Sequence, residues 1–260
     1  ENRLTEVKTN LGNLSGWWQS LAIADMDGDG RQDMVLGNIG ENFYLRPGEQ
    51  TPVKLWVADF DNNGTMEKVM TQTIGGKDVP VFMKRDMVEQ VASLRKQNLK
   101  NVDYARKSIQ DLFGKEAMAR AGLQLFNYGS SCIAYNRGNG SYTIEKLPVE
   151  VQLSSVNAIL PADINSDGKT DLLIGGNKLN LLPQFCRLDA SFGHVLVNKG
   201  GGGFTQLSSR ESGLNLRGEV KDIVSIQFSN TSSYLFLQNN EQPLLFRGRT
   251  GSTLLATKRK

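Results

Sequence analysis

Three nine-residue loops in this chain repeat one pattern of oxygen-bearing side chains, and each stands between two short apolar runs. They read DMDGDGRQD (Asp25 to Asp33), DFDNNGTME (Asp59 to Glu67) and DINSDGKTD (Asp163 to Asp171). Positions 1, 3, 5 and 9 hold Asp25, Asp27, Asp29 and Asp33 in the first loop. They hold Asp59, Asp61, Asn63 and Glu67 in the second, and Asp163, Asn165, Asp167 and Asp171 in the third. Calcium, a hard cation, takes about six to eight oxygens, and alternate residues of a tight loop point inward to supply them. Position 6 is always glycine (Gly30, Gly64, Gly168), which permits a turn that a Cβ would obstruct. Position 7 (Arg31, Thr65, Lys169) is expected to contribute its carbonyl, so its side chain is free to vary.

The likeness to an EF-hand loop ends after nine residues. An EF-hand closes on a bidentate glutamate at position 12, where this chain has Leu36, Met70 and Ile174. The flanks are not helical either. LAIAD, KLWVAD and AILPAD lead in, while DMVLG, EKVMT and DLLIG lead out. These are short β-type runs, so each loop is read as the turn of a hairpin. Twenty-seven glycines against seven prolines fit many short strands joined by tight turns, an all-β fold class.

On these residues the chain resembles the FG-GAP/VCBS repeat family, which includes integrin α-subunit heads and cartilage acidic protein. The first and third loops match its strand–DxDxDGxxD–strand unit, and the second departs from it at Glu67. The hairpins IAYNRGNGSY (Ile133 to Tyr142) and VLVNKGGGGF (Val195 to Phe204) are similar to the family's companion turn. GNIG at Gly37 to Gly40 and GGN at Gly175 to Asn177 echo its FG-GAP signature. The resemblance implies blades of a β-propeller, with two to three structural calcium ions in the acidic loops.

Repeats set the expected organisation: one propeller-type domain over 1–260, with blade-like units at about 16–54, 55–147, 148–216 and 217–260. The last opens with VKDIVSIQF but lacks an acidic loop, as terminal repeats often depart from the pattern. Four units are few for a propeller, so the chain is read as the C-terminal part of a longer one, a small closed ring being the alternative. The third loop follows the second at a much greater distance than the second follows the first. A helical insertion around 85–122 fills that gap. Met87, Val91 and Leu94 share one helical face, and Val102, Ala105, Ile109 and Leu112 another, with Gly114 as a C-terminal cap and KEAMARAG as a third short helix. The insertion is read as cover for strand edges or as a lid or partner-binding element.

The formal charge of +3 conceals ten of the 27 carboxylates in the three loops. Lys and Arg are otherwise scattered, apart from Lys258-Arg259-Lys260. No basic stripe interleaved with aromatics is present, which argues against nucleic acid, and no apolar stretch is long enough for a membrane helix. The start shows no targeting signal. Cys132 and Cys186 form no CxxC pair and are read as buried thiols, a disulfide being the alternative. The one histidine, His194, alternates with apolar residues as a strand residue would. No nucleophile, phosphate-loop or dinucleotide motif appears in its proper context, so the chain is read as not an enzyme. Trp17 and Trp18 are read as packing residues, one of them able to stack on a sugar or a partner.

These readings predict a calcium-stabilised, extracytoplasmic binding or scaffolding module whose partner is a protein or glycan. The alternative is a carbohydrate-active lyase or hydrolase that uses acids outside the loops, such as Glu89, Asp103 or Glu150. Extracellular modules bind calcium at about 10⁻⁴–10⁻³ M, which suits millimolar surroundings.

Overall fold

The computed structural model describes residues 3–98, 100–228 and 231–248. Along the chain the elements are β1 (Ser20–Ala24), β2 (Asp33–Gly37), β3 (Val53–Ala58), β4 (Glu67–Ile74) and β5 (Lys77–Pro80). Four helices follow: α1 (Lys84–Gln90), α2 (Leu94–Gln97), α3 (Asn101–Ala105) and α4 (Ile109–Arg120). Then come β6 (Gly122–Phe126), β7 (Cys132–Asn136), β8 (Tyr142–Lys146), β9 (Val156–Ala162), β10 (Asp171–Gly176), β11 (His194–Gly200) and β12 (Gly203–Leu207). The short α5 (Ser209–Ser212) precedes β13 (Val220–Phe228), β14 (Thr231–Gln238) and β15 (Leu244–Arg247). The protein is mostly β: four antiparallel sheets of three or four strands, in the orders β1-β2-β7-β8, β5-β4-β3-β6, β9-β10-β11-β12 and β13-β14-β15. Among the described residues no helix is long and apolar enough to cross a membrane.

Two compact units result, in place of the single domain expected. The first comprises 3–10, 18–43 and the described residues from 130 onward; the second comprises 11–17 and 44–129. The repeat boundaries also shift. The hairpin at 133–142, assigned from sequence to a unit spanning 55–147, pairs instead with the first loop's outgoing strand, Val35 opposite Ile133 and Met34 opposite Ala134. Residues 44–129 are thus inserted between the second and third strands of the first sheet. Neighbours in the chain are not neighbours in this sheet, which is why spacing misplaced the hairpin.

In the first unit three sheets stack in chain order, with β1 packed on β9 and β9 and β10 on β13. Val35, Ile133 and Tyr135 of the first sheet meet Val156, Leu172, Ile174 and Leu196 of the second. Ala158, Leu173, Val195 and Val197 of the second meet Ile223, Tyr234 and Phe236 of the third. The middle sheet is covered on both faces, which explains the unbroken Leu172-Leu173-Ile174 run in β10, every residue of which is buried. One joint serves both packings. Gly37 approaches the Val156 carbonyl so closely that a Cβ would lie 2.4 Å from it, and a Cβ on Gly175 would lie 2.4 Å from Val220. Beside each glycine a polar side chain bridges the sheets: Ser20 Oγ donates to Val156 O at 2.8 Å and Asn157 Nδ2 to Val220 O at 3.1 Å. The signature echoes at Gly37 and Gly175 therefore mark sheet-to-sheet contact points.

In the second unit the helices share a core with β3 and β4, built from Ala58, Phe60, Val69, Met87, Val91, Leu94, Tyr104, Ile109, Leu112 and Ala117. The expected face of Met87, Val91 and Leu94 is buried, but on two short helices, because the chain leaves α1 at Val91 with extended dihedrals. Val102 and Ala105 are exposed and Tyr104 is buried in their place, its hydroxyl donating to Phe82 O at 2.9 Å. A Ser108–Asp111 capping box starts α4. Gly114, non-helical at φ 76°, ends the first stretch of α4, and the KEAMARAG segment forms a second helical stretch to Arg120, as expected. Trp17 stacks on Phe126 at 4.8 Å, while Trp18 is 38% exposed. Cys132 is buried, but Cys186, expected in the interior, is exposed, and no disulfide joins them. Lys258-Arg259-Lys260 lie outside the described residues.

Candidate metal centres

The three loops share one backbone turn. In each, the position-1 carboxylate accepts the N–H of the position-6 glycine at 2.9 Å: Asp25 from Gly30, Asp59 from Gly64 and Asp163 from Gly168. The position-5 side chain accepts the position-7 N–H, Asp29 from Arg31 at 2.8 Å, Asn63 from Thr65 at 2.7 Å and Asp167 from Lys169 at 3.0 Å. The glycines take φ of 84°, 87° and 81°, in the left-handed region that an L side chain enters only at a cost. Position 4 is left-handed too, at Gly28, Asn62 and Ser166. These amide contacts hold the Asp25 carboxyl below its ordinary range, chiefly through Gly30, and Asp167 likewise through Lys169.

Position 9 opens the outgoing strand and is buried in all three loops: Asp33, Glu67 and Asp171. One oxygen always accepts the position-2 N–H, from Met26 at 2.8 Å, Phe60 at 2.8 Å and Ile164 at 3.0 Å. In the first unit the other oxygen accepts from the third strand, Asp33 from Asn136 N at 2.7 Å and Asp171 from Asn198 N at 2.8 Å. Both carboxylates tie loop to sheet, and burial still raises the Asp171 pKa against its amide partners. Asn136 and Asn198 add side-chain donation to Gln32 O at 3.2 Å and Thr170 O at 3.0 Å. Sequence reasoning noticed these hairpins but gave their asparagines no role; the Asn-x-Gly spacing after a strand was the available signal. Glu67 differs, because Oε1 is buried with no hydrogen-bond partner while the residue is 4% exposed.

The oxygens of Asp25, Asp27 and Asp29 come within 4.8 Å of one another, as do those of Asp59, Asp61 and Glu67. Asp33, expected to close the first site, accepts one backbone N–H on each oxygen. Asp163, Asp167 and Asp171 form no such group: Asp163 and Asp167 are exposed, and the Asn165 amide turns to Asp167 at 3.2 Å. Basic side chains further separate the loops. In the first, Arg137 Nη1 lies 2.6 Å from Asp27 Oδ2, and Arg31 pairs with Asp29. In the third, Lys169 Nζ stands 3.7 Å from Asp167. In the second, no ion pair to Asp59, Asp61 or Glu67 occurs among the described residues; Arg120 reaches only the Asn62 side chain, at 3.2 Å.

Three buried carboxylate oxygens in these loops are orphaned: Asp27 Oδ1, Asp61 Oδ1 and Glu67 Oε1. An uncompensated buried carboxylate is costly, and a hard divalent cation is the partner that clustered carboxylate and amide oxygens suit. The second loop fits such an ion best, since it has the gathered oxygens and two orphans without a competing cation.

Elsewhere His194 is buried on β11, with Nε2 3.1 Å from Ser191 Oγ. Burial lowers its pKa to about 4, leaving a neutral interior ring. Glu89, Asp103 and Glu150 are all exposed. A groove of about 290 Å³ lined by Lys84, Arg85, Val88, Glu89, Arg95 and Asn101 contains one carboxylate, so it offers no acid pair. No family model matches this chain, nor does any curated protein or solved structure.

Proposed function

We propose that this chain is a calcium-stabilised β-propeller-type module of the FG-GAP/VCBS kind, acting in protein or glycan binding or as a scaffold in an extracytoplasmic protein. The carrying observation is the second loop, where Asp59, Asp61 and Glu67 converge and Glu67 Oε1 is buried without a partner. Three sheets stacked through equivalent glycine joints support the propeller reading, since blades pack face to face in that way. Calcium's role is structural: it neutralises gathered carboxylates and fixes the turns. Millimolar calcium outside the cytosol supplies the compartment argument. Two to three ions in the three loops are proposed, with the second loop the leading site.

Thermal unfolding of EDTA-stripped protein with and without calcium tests this reading. A site at hundredfold excess over Kd adds about 2.7 kcal/mol to the unit that holds it, seen as a raised melting temperature. An unchanged melting temperature at millimolar calcium would reduce the loops to polar turns.

A further inference from the structure

We infer that Arg137 is a tethered counter-cation for the first acidic loop, supplying positive charge where the second loop has none and weakening calcium binding there. This rests on the calcium reading above, which supplies the ion.

The two loops have the same turn and each gathers three carboxylates, at positions 1, 3 and 5 in the first and 1, 3 and 9 in the second, but only the first carries an arginine against them. Arg137 Nη1 is 2.6 Å from Asp27 Oδ2 and 3.9 Å from Asp29 Oδ2. Its Nε donates to Thr143 Oγ1 at 3.2 Å, and its guanidinium lies 5.1 Å from the Tyr135 ring centroid. The group is held from three directions, and its backbone follows Asn136, whose N–H binds Asp33 of the same loop. A planar guanidinium fixed in this way is pre-organised for a carboxylate. Arg31 adds a second positive charge at Asp29, and its Nε donates to Asn136 O at 2.8 Å.

Calcium in the first loop would draw on Asp27 and Asp29, carboxylates that these arginines already engage, Asp27 through Oδ2 alone. The ion and the guanidinium repel, and both cannot sit within ~3 Å of Asp27 Oδ2 without a large Coulomb cost. An ion on Asp27 Oδ1 therefore sits against the Arg137 charge on Oδ2, and its binding weakens the arginine's ion pair and its place over Tyr135. Together these contacts correspond to roughly a tenfold loss of calcium affinity. Asp27 Oδ1, buried and unpartnered, shows that one arginine does not complete the coordination of this carboxylate. The third loop marks the contrast. Lys199 occupies the place of Arg137 in the equivalent Asn198-Lys199-Gly200 turn and makes no ion pair among the described residues.

The test is calorimetric titration of metal-free protein with calcium chloride in four proteins: wild type, Arg137→Gln, Arg137→Lys, and Arg137→Gln combined with Asp27→Asn. The expected result is a site about tenfold tighter in Arg137→Gln, smaller tightening in Arg137→Lys, and loss of the gain when Asp27→Asn is added. Metal-free Arg137→Gln should melt below wild type and be rescued by calcium to a greater degree. Should wild type bind calcium while the Arg137→Gln and Arg137→Lys isotherms stay unchanged, the arginine inference alone is overturned. Absence of calcium heat from every protein at millimolar concentrations overturns the calcium reading and this inference with it.

Discussion

The first and second acidic loops are the same turn closed in two ways. Both place a carboxylate on the position-6 glycine amide at 2.9 Å and gather three acids within 4.8 Å. In the first, Asp33 spends both oxygens on backbone amides, and two arginines face Asp27 and Asp29. In the second, Glu67 spends one oxygen on Phe60, the other is orphaned, and no cation pairs with its acids among the described residues. One backbone turn thus carries its acids in two ways: two arginines offset part of the charge in the first loop, and no paired cation does so in the second among the described residues. The two loops differ in the length of the position-9 side chain and in what the neighbouring hairpin carries. An extra methylene in Glu67, the departure from the repeat pattern, accompanies the free oxygen.

The contrast is broken most sharply by removing charge at position 9. Asp33→Asn is expected to cost about 3 kcal/mol with or without calcium, since one of two charge-assisted bonds is lost and an amide donor faces an N–H. Glu67→Gln should be neutral, or stabilising by about 1 kcal/mol, in metal-free protein, because it removes an uncompensated buried charge. It should also eliminate the calcium response of the second loop. Urea titrations in EDTA and in calcium measure both.

Acid separates the units through the chain's one histidine, which lies in the first. Its folded pKa, about 4, lies below the ordinary 6.5, so the unfolded chain binds the proton first. The neutral ring contributes stability that is intact above pH 6.5 and is lost as pH falls toward 4, about 2 kcal/mol of it by pH 5. Urea unfolding in EDTA at pH 7.5 and pH 5 should show this loss in the first unit, and His194→Gln should flatten it.

The smallest effect tests whether the turns are the same. Gly30→Ala and Gly64→Ala meet no atom within 4 Å and differ from wild type only in a strained φ, so each should cost about 1 kcal/mol. Unequal costs beyond 1 kcal/mol, read from urea midpoints in EDTA, would show that the loops are not one turn.

The turns were legible in sequence because their determinants are local: oxygens at alternate positions, glycine at position 6, β-type runs on both sides. The buried Met87, Val91 and Leu94 face was legible for the same reason. Pairing of β2 with β7 was not, since residues 44–129 lie between the two strands and periodicity carries no information about which strands meet. Arg137 was missed likewise: it is remote in sequence from Asp27, and only the folded sheet brings them to 2.6 Å. The departure at Glu67 was legible but its consequence was not, since the orphaned oxygen lacks a third-strand amide such as Asn136 supplies to Asp33. The Val102 and Ala105 face failed because α3 is a single short turn whose orientation is set by burial of Tyr104.

The most direct measurement is calorimetric titration of metal-free wild type and Glu67→Gln with calcium. Wild type is expected to bind calcium, and Glu67→Gln to lose the tightest site while remaining folded. Equal stoichiometry and affinity in the two proteins would contradict that expectation.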